Sequence, residues 1–189
     1  MDHGKPIIYV KNVRKVYRMG DEEVVALKRI NLRIYKGEVC CIFGTSGSGK
    51  STLLNQLAGM EKPTKGQVFI RGKNISDMNE EELAAFRQEH MSFIFQSYNL
   101  LPEYTALDNS RIPLYLDQRE IYEEYEGMLL KKLRLIGKET KYPSQLSGGE
   151  VQRVAIARAL ITKPAIVLAV EPTGNLDVKS ASEVIQILK

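Results

Sequence analysis

Gly44-Thr45-Ser46-Gly47-Ser48-Gly49-Lys50-Ser51 follows the pattern G-x-x-x-x-G-K-[ST], and its flanks constrain the local fold. Upstream, Val39-Cys40-Cys41-Ile42-Phe43 is an uninterrupted apolar run with the length and β character of a strand buried on both faces. Downstream, Ser51 to Ala58 reads as a helix with Gly59 at its C-terminal cap. A strand that feeds a glycine loop and then a helix can hold a phosphate chain. The glycines let the backbone close round the anion, and the loop N–H groups and helix N-terminus point at it. Lys50 offers a point charge to the terminal phosphates, and Ser51 can ligate Mg²⁺. A plain glycine-rich turn requires neither the Lys-Ser ending nor glycines at these spacings. Alone, the loop implies only that a nucleoside triphosphate or a similar anion binds.

The chain has 189 residues, 43% hydrophobic and 26% charged, a globular composition with length for one domain and a small inserted lobe. Disorder and fibres are excluded. The longest apolar stretches, Val39 to Phe43 and Ala165 to Val170, fall far short of the ~20 residues of a spanning helix. The start, Met1 to Pro6, has neither an apolar h-region nor a small-residue cleavage site, so a cytoplasmic protein is expected. Cys40 and Cys41 are adjacent, a bridge between them would be badly strained, and both are read as reduced packing residues. The net charge is +4, with Lys and Arg scattered and no interleaved aromatic series. No nucleic-acid partner is expected from that pattern.

Along the chain, Ile7 to Val13 and then Ile30, Leu32 and Ile34 alternate like half-exposed strands, and Gln67 to Ile70 reads as another. Asn79 with Glu82 predicts a capped helix through about Glu89, followed by a short strand from Met91 to Phe95 that ends at Gln96. Tyr98 to Pro113 reads as irregular. Glu120 to Ile136 has helical spacing, weakened at Gly127, and is the candidate small lobe. The chain closes with a helix from Gly148 to Ile161, a strand from Ala165 to Val170, the turn Pro172-Thr173-Gly174-Asn175, and a helix from Val178 to the end, capped by Asp177.

A second motif narrows the class. Leu146-Ser147-Gly148-Gly149-Glu150-Val151-Gln152-Arg153 places a Ser-Gly-Gly nest at a helix N-terminus. With the phosphate loop, a glutamine-ended strand between the two and the segment Glu171-Pro172-Thr173-Gly174-Asn175-Leu176-Asp177, the sequence resembles the nucleotide-binding subunits of ABC transporters over essentially its whole length. That resemblance implies an α/β fold: a P-loop NTPase core with an antiparallel β subdomain and an inserted α-helical lobe. It implies one ATP-binding domain over 1–189, with a β-rich part and P-loop core at 1–95, the helical lobe at 96–146, and the signature helix, Walker B strand and D-loop at 147–189.

The resemblance also implies roles. Tyr17 matches the aromatic that stacks on adenine, a role any ring can fill, although a strand aromatic packed on the core accounts for it equally well. Gly44 to Ser51 and Thr52 match the ATP-binding loop, with Lys50 catalytic and Ser51 on Mg²⁺. Gln96 matches the residue that reaches Mg²⁺ or the attacking water and senses a membrane permease. Ser147, Gly148, Gly149 and Glu150 match the signature, which contacts ATP held by a second cassette, and Asn175, Leu176 and Asp177 match the D-loop along that seam. Glu171 matches the general base. ATP and Mg²⁺ are the implied cofactors; a second cassette and a permease are the implied partners, at the cytoplasmic face of the membrane. The segments Gln96 to Pro102 and Thr105 to Asn109, together with Pro172 to Asp177, are most similar to those of the lipoprotein-releasing and macrolide- or peptide-export group.

Two features depart from the family. Val170 stands where the Walker B strand ends in aspartate, which implies weaker ordering of the Mg²⁺ hydration shell and ATP binding with reduced hydrolysis. The family's switch histidine lies on a strand beyond the D-loop, whereas the only histidines here are His3 and His90. A C-terminally truncated copy is expected, with an interior gap beside the P-loop strand and lower stability than an extended version. Other classes fit less well. ABC ATPases of chromosome or repair machinery need a long coiled coil between Lys50 and Ser147, translation-associated ones need tandem cassettes, and a nucleotide kinase leaves the Ser-Gly-Gly nest unexplained. An ATP-dependent dimerising module with weak turnover remains the alternative.

Overall fold

A computed structural model describes residues 4–188. The predicted run of the last helix to Lys189 and the reading of Met1 to His3 fall outside these residues. The chain divides into two compact units at Arg87/Gln88.

In the first unit, β1 (Ile8–Met19) and β2 (Glu22–Ile34) form an antiparallel hairpin. β3 (Lys65–Ile70) pairs on the other side of β1, and the short β4 (Lys73–Asn74) pairs with β3, so the sheet order is β2-β1-β3-β4. Alternation puts Ile8 and Val10 inside; a bulge at Asn12, which has φ 50°, then resets the register so that Val13 is also buried. Helix α1 (Lys50–Leu57) buries Leu53, Gln56 and Leu57 and packs near β2. Helix α2 (Glu80–His90) starts on the predicted box: the Glu82 N–H donates to the Asn79 side chain at 2.9 Å and the Asn79 N–H to the Glu82 carboxylate at 2.8 Å.

The second unit holds a two-stranded parallel sheet, β5 (Met91–Ile94) beside β6 (Ile166–Ala169), and helices α3 (Ala106–Leu116), α4 (Glu123–Lys132), α5 (Gly148–Leu160) and α6 (Val178–Leu188). Ile94, Leu129, Leu133, Leu135, Ile156 and Val184 lie in one apolar core. Arg111 clamps Glu126 with hydrogen bonds of 2.7 and 2.5 Å, which offset the cost of burying that carboxylate.

Four expectations need correction. Val39 to Phe43 is not a strand: none of the described strands pairs with it, and Val39 and Phe43 are 55% and 87% exposed. Apolar β character cannot substitute for a hydrogen-bonding neighbour. Cys40 and Cys41, in the same run, are free but exposed, so they are not packing residues. Tyr98 to Pro113 is not wholly irregular, because α3 begins at Ala106: the Thr105 hydroxyl accepts from the Asp108 N–H at 3.2 Å, and the helix continues past the interior Pro113 to Leu116. Helix α4 is also shorter than the predicted Glu120–Ile136. Arg134 turns left-handed at φ 53° and the Leu135 N–H reaches back to the Leu130 carbonyl at 2.9 Å, closing the helix as a glycine cap would.

Asn109, fully buried in α3, organises the segment before it. Its amide donates to the carbonyls of Leu101, Tyr104 and Thr105 at 2.9, 2.9 and 3.0 Å and accepts the Leu101 N–H at 2.8 Å. Replacing it leaves the Leu101 N–H and the Tyr104 carbonyl without that partner, while the carbonyls of Leu101 and Thr105 keep the backbone N–H groups of Tyr104 and Asn109. Asn109→Leu is expected to destabilise the chain by about 2–4 kcal/mol, read as a lower urea midpoint; an unchanged midpoint would contradict this account of the segment.

Candidate functional site

In the first unit the glycine loop enters α1 through Gly49, which takes φ 91° and ψ 10° as the N-cap. A Cβ there would lie 2.6 Å from the Ala26 carbonyl oxygen, so both conformation and space require glycine. Helix α1 has no side-chain cap and no acidic residue in its first turn. Its leading N–H groups therefore face outward without a protein acceptor, an arrangement suited to an anion. Lys50 spans the loop, donating from Nζ to the carbonyls of Gly44 at 2.9 Å and Thr45 at 2.8 Å. An ammonium has three donors, so one is left for a phosphate oxygen. Thr45, Ser46, Gly47, Ser48 and Ser51 are exposed around it.

Tyr17, half-buried near the end of β1, belongs to the same unit. Its hydroxyl donates to Glu61 Oε2 at 2.7 Å, while Asn55 of α1 donates to Glu61 Oε1 at 2.9 Å and Lys15 Nζ lies 3.1 Å from Oε2. Burial and the hydrogen bond to Glu61 raise the Tyr17 phenol, with the Thr52 hydroxyl acting the other way. Burial works against ionisation of Glu61, but the hydrogen bonds from Tyr17, Asn55 and Lys15 prevail and lower its carboxyl.

In the second unit the parallel register Met91↔Ile166 to Ile94↔Ala169 brings the C-terminal ends of two strands side by side, and the Val170 N–H continues the ladder to the Ile94 carbonyl at 2.9 Å. Gln96 and the turn after Val170 consequently meet, at the strand ends where open α/β sheets place their ligands. The Asn175 amide donates to the Gln96 carbonyl at 3.0 Å. A Cβ on Gly174 would lie 2.8 Å from Gln96 Nε2, so only glycine lets that side chain lie against the turn. Glu171 is exposed and held at φ 45°, a region that L-residues seldom occupy.

Helix α5 braces the turn and the loop after Gln96. Gln152 is fully buried and donates to the Pro172 carbonyl at 2.8 Å. Arg158 donates to the carbonyls of Tyr98 at 2.7 Å and Asn99 at 2.5 Å, two consecutive residues with positive φ. Burial lowers the pKa of this guanidinium. At the other end, Ser147 caps α5: it accepts the Glu150 N–H at 3.3 Å, and its own N–H and hydroxyl donate to the Glu150 carboxylate at 2.8 and 3.0 Å. Ser147 and Gly148 are exposed, whereas Gly149 is buried against Ser180. Asp177 caps α6 through Lys179 and Ser180, and Leu176 packs on the apolar core.

The sequence profile described as ABC transporter matches residues 27–174. This chain belongs to the ABC transporter family. It is 49% identical over 187 residues to the uncharacterized ABC transporter ATP-binding protein MJ1508 of Methanocaldococcus jannaschii, covering 97% of this chain and 83% of that protein. The lipoprotein-releasing system ATP-binding protein LolD of Alcanivorax borkumensis is 42% identical over 186 residues, 97% of this chain and 82% of LolD. The macrolide export ATP-binding/permease protein MacB of Pasteurella multocida is 46% identical over 187 residues, but these make up only 29% of that longer protein. Among solved structures, the dimeric post-hydrolysis state of the ATP-binding cassette MJ0796 bound to ADP and Pi matches with a TM-score of 0.83 and 43% identity over 96% of this chain and 81% of that one. The chain is thus an ABC transporter ATP-binding domain with the ABC ATPase fold, an ABC-type ATPase of the LolD and MacB type.

Of the site residues, the ATP loop and Tyr17 lie in the first unit of this ABC ATPase; Gln96, Glu171, the signature and the D-loop segment lie in the second, linked by Gln152 and Asn175. Sequence reading missed Glu61, Gln152 and Arg158. Gln152 could have been found, since it falls inside the signature motif; nothing near Glu61 marks it as a shared acceptor.

Glu150 carries a pH signature. The Ser147 backbone N–H, and then Lys138 at 3.0 Å, hold its carboxyl down to about 2. A carboxylate whose folded pKa lies below its unfolded value of about 4.3 stabilises the fold above that value and loses the contribution as pH falls toward the folded pKa. Glu150→Gln is therefore expected to cost about 1 kcal/mol at pH 7. Its urea midpoint should converge with that of the parent between about pH 4.5 and 2.5, and a gap independent of pH would refute the assignment.

Proposed function

We propose that the chain is the ATP-binding and hydrolysing subunit of an exporter, forming a dimer of cassettes around ATP and driving a membrane permease from the cytoplasmic face. The whole of 1–189 then works as one cassette. The observation that carries this reading is the start of α1, which has neither cap nor acid and has Lys50 drawn across its loop. The names of LolD and MacB support release or export, and the dimeric MJ0796 structures support pairing with a second cassette. No helix among the described residues is long and apolar enough to cross a membrane, which fits a subunit whose substrate path lies in another protein or domain.

The residues then divide the work. Tyr17 stacks on the base, and the Gly44 to Thr52 loop with Lys50 holds the phosphates. Exposed Ser147 and Gly148, with Gly149 buried behind them, meet the γ-phosphate held by the partner cassette, and Glu150 keeps Ser147 oriented. Asn175 to Asp177 line the seam. Glu171 accepts a proton from the attacking water as its oxygen bonds to the γ-phosphorus and the bridging oxygen leaves with ADP.

The donor set for Mg²⁺ is thin: among the described residues no three His, Cys, Asp or Glu side chains cluster, and β6 runs out into Val170 rather than a carboxylate. Such a set suits a largely hydrated ion, to which Ser51 offers a hydroxyl and Gln96 an amide oxygen. When bound, the ion neutralises charge on the phosphates. Val170 leaves its water shell without an ordering anion, which favours binding with slow turnover. Val170→Asp is accordingly expected to raise phosphate release by about ten- to hundredfold with ATP affinity little changed. Adding Glu171→Gln should remove that gain. Phosphate release by the parent chain as fast as by Val170→Asp would overturn the slow-turnover reading.

A further inference from the structure

Glu61 lies outside every motif, yet the side chains of Tyr17, Asn55 and Lys15 converge on it. One carboxylate oxygen accepts the Tyr17 hydroxyl at 2.7 Å and lies 3.1 Å from Lys15 Nζ; the other accepts the Asn55 amide at 2.9 Å. Tyr17 and Lys15 come from β1 and Asn55 from α1, the helix that carries the phosphate loop at its start. Lys15 is held as well, donating to the Lys62 carbonyl at 2.9 Å and standing 5.2 Å from the centroid of the Tyr17 ring. One face of the ring therefore meets a cation. Fixing the phenol oxygen removes the rotational freedom that a stacking ring otherwise loses on binding.

We infer that Glu61 is the positioning residue of the base platform: by tethering the Tyr17 hydroxyl to α1 it sets how much the purine base, as distinct from the phosphates, contributes to ATP affinity. The inference rests on the reading of Tyr17 as the stacking ring. It goes further by assigning the ring's orientation to a carboxylate that lies outside the nucleotide-binding motifs. The structure also limits the role. Lys50 and the loop carbonyls it binds make no hydrogen bond to Glu61, so phosphate binding should not depend on it.

Calorimetric titration of the chain with ATP and, separately, with inorganic tripolyphosphate distinguishes the two contributions. Tyr17→Ala is expected to weaken ATP about tenfold through lost stacking and to leave tripolyphosphate unchanged. Glu61→Ala and Tyr17→Phe, which cut the tether from either end, should each weaken ATP severalfold with tripolyphosphate again unchanged. Their combination should be no weaker than Tyr17→Phe alone, which removes the hydroxyl from Glu61 and from Thr52 together. Glu61→Gln, which keeps an acceptor, should recover most of the loss. Tyr17→Phe with full ATP affinity overturns the proposal while the stacking reading stands, and so does a Glu61→Ala loss shared equally by tripolyphosphate. Tyr17→Ala with full ATP affinity removes the stacking reading and the proposal together. Should Glu61→Ala not fold, Tyr17→Phe and Glu61→Gln still decide the question.

Discussion

Every helix begins with N–H groups that have no partner inside the helix, and how each start is satisfied separates α1 from the rest of the molecule. Asn79, Thr105, Ser147 and Asp177 cap α2, α3, α5 and α6. Helix α4 has no side-chain cap but carries Glu123, Glu124 and Glu126 in its first turn, which complement the positive end of the helix. Among the described α-helices only α1 has neither a cap nor an acid. A left-handed glycine that leaves no room for a Cβ and a lysine folded over the loop carbonyls complete an anion site whose ligand the protein does not itself supply.

The second unit solves a different problem, that of holding polar groups still at the exposed ends of two strands. Parallel pairing of β5 and β6 brings Gln96 and the Glu171 turn together. Side-chain donors then fix the backbone: buried Gln152 on the Pro172 carbonyl, exposed Asn175 on the Gln96 carbonyl, and the half-buried Arg158 guanidinium on the carbonyls of Tyr98 and Asn99. Positive φ at Tyr98, Asn99 and Glu171 costs energy that these bonds offset. Because Gln152 and Arg158 lie on the helix that Ser147 caps, the signature, the loop after Gln96 and the turn bearing Glu171 are mechanically one piece.

Much of this was legible in the residues. The loop from Gly44 to Ser51, the box at Asn79 and Glu82, the cap at Asp177 and the start of α5 at Ser147 are local patterns whose partners lie within a few positions, and the structure reproduces them. Whatever needed a distant partner was not. The run from Val39 to Phe43 looks like a strand because strand character is local, but pairing is not, and among the described residues nothing pairs with it. Asn109 reads as an ordinary loop residue until Leu101, Tyr104 and Thr105 converge on it, and Glu61 reads as a surface charge until Tyr17 and Asn55 meet there. Helix α3 was hidden differently, since Pro102 and Pro113 outweighed the Thr105 to Asp108 cap between them.

On the proposed function, the uncapped start of α1 and Lys50 bind the phosphates of ATP. Equilibrium titration of the chain and of Lys50→Ala with ATP tests it most directly. Saturable binding of one nucleotide per chain is expected, weakened by about tenfold or more in Lys50→Ala, with the same thermal unfolding midpoint, because the two released carbonyls are in reach of water. Equal ATP affinity in the two proteins would contradict it.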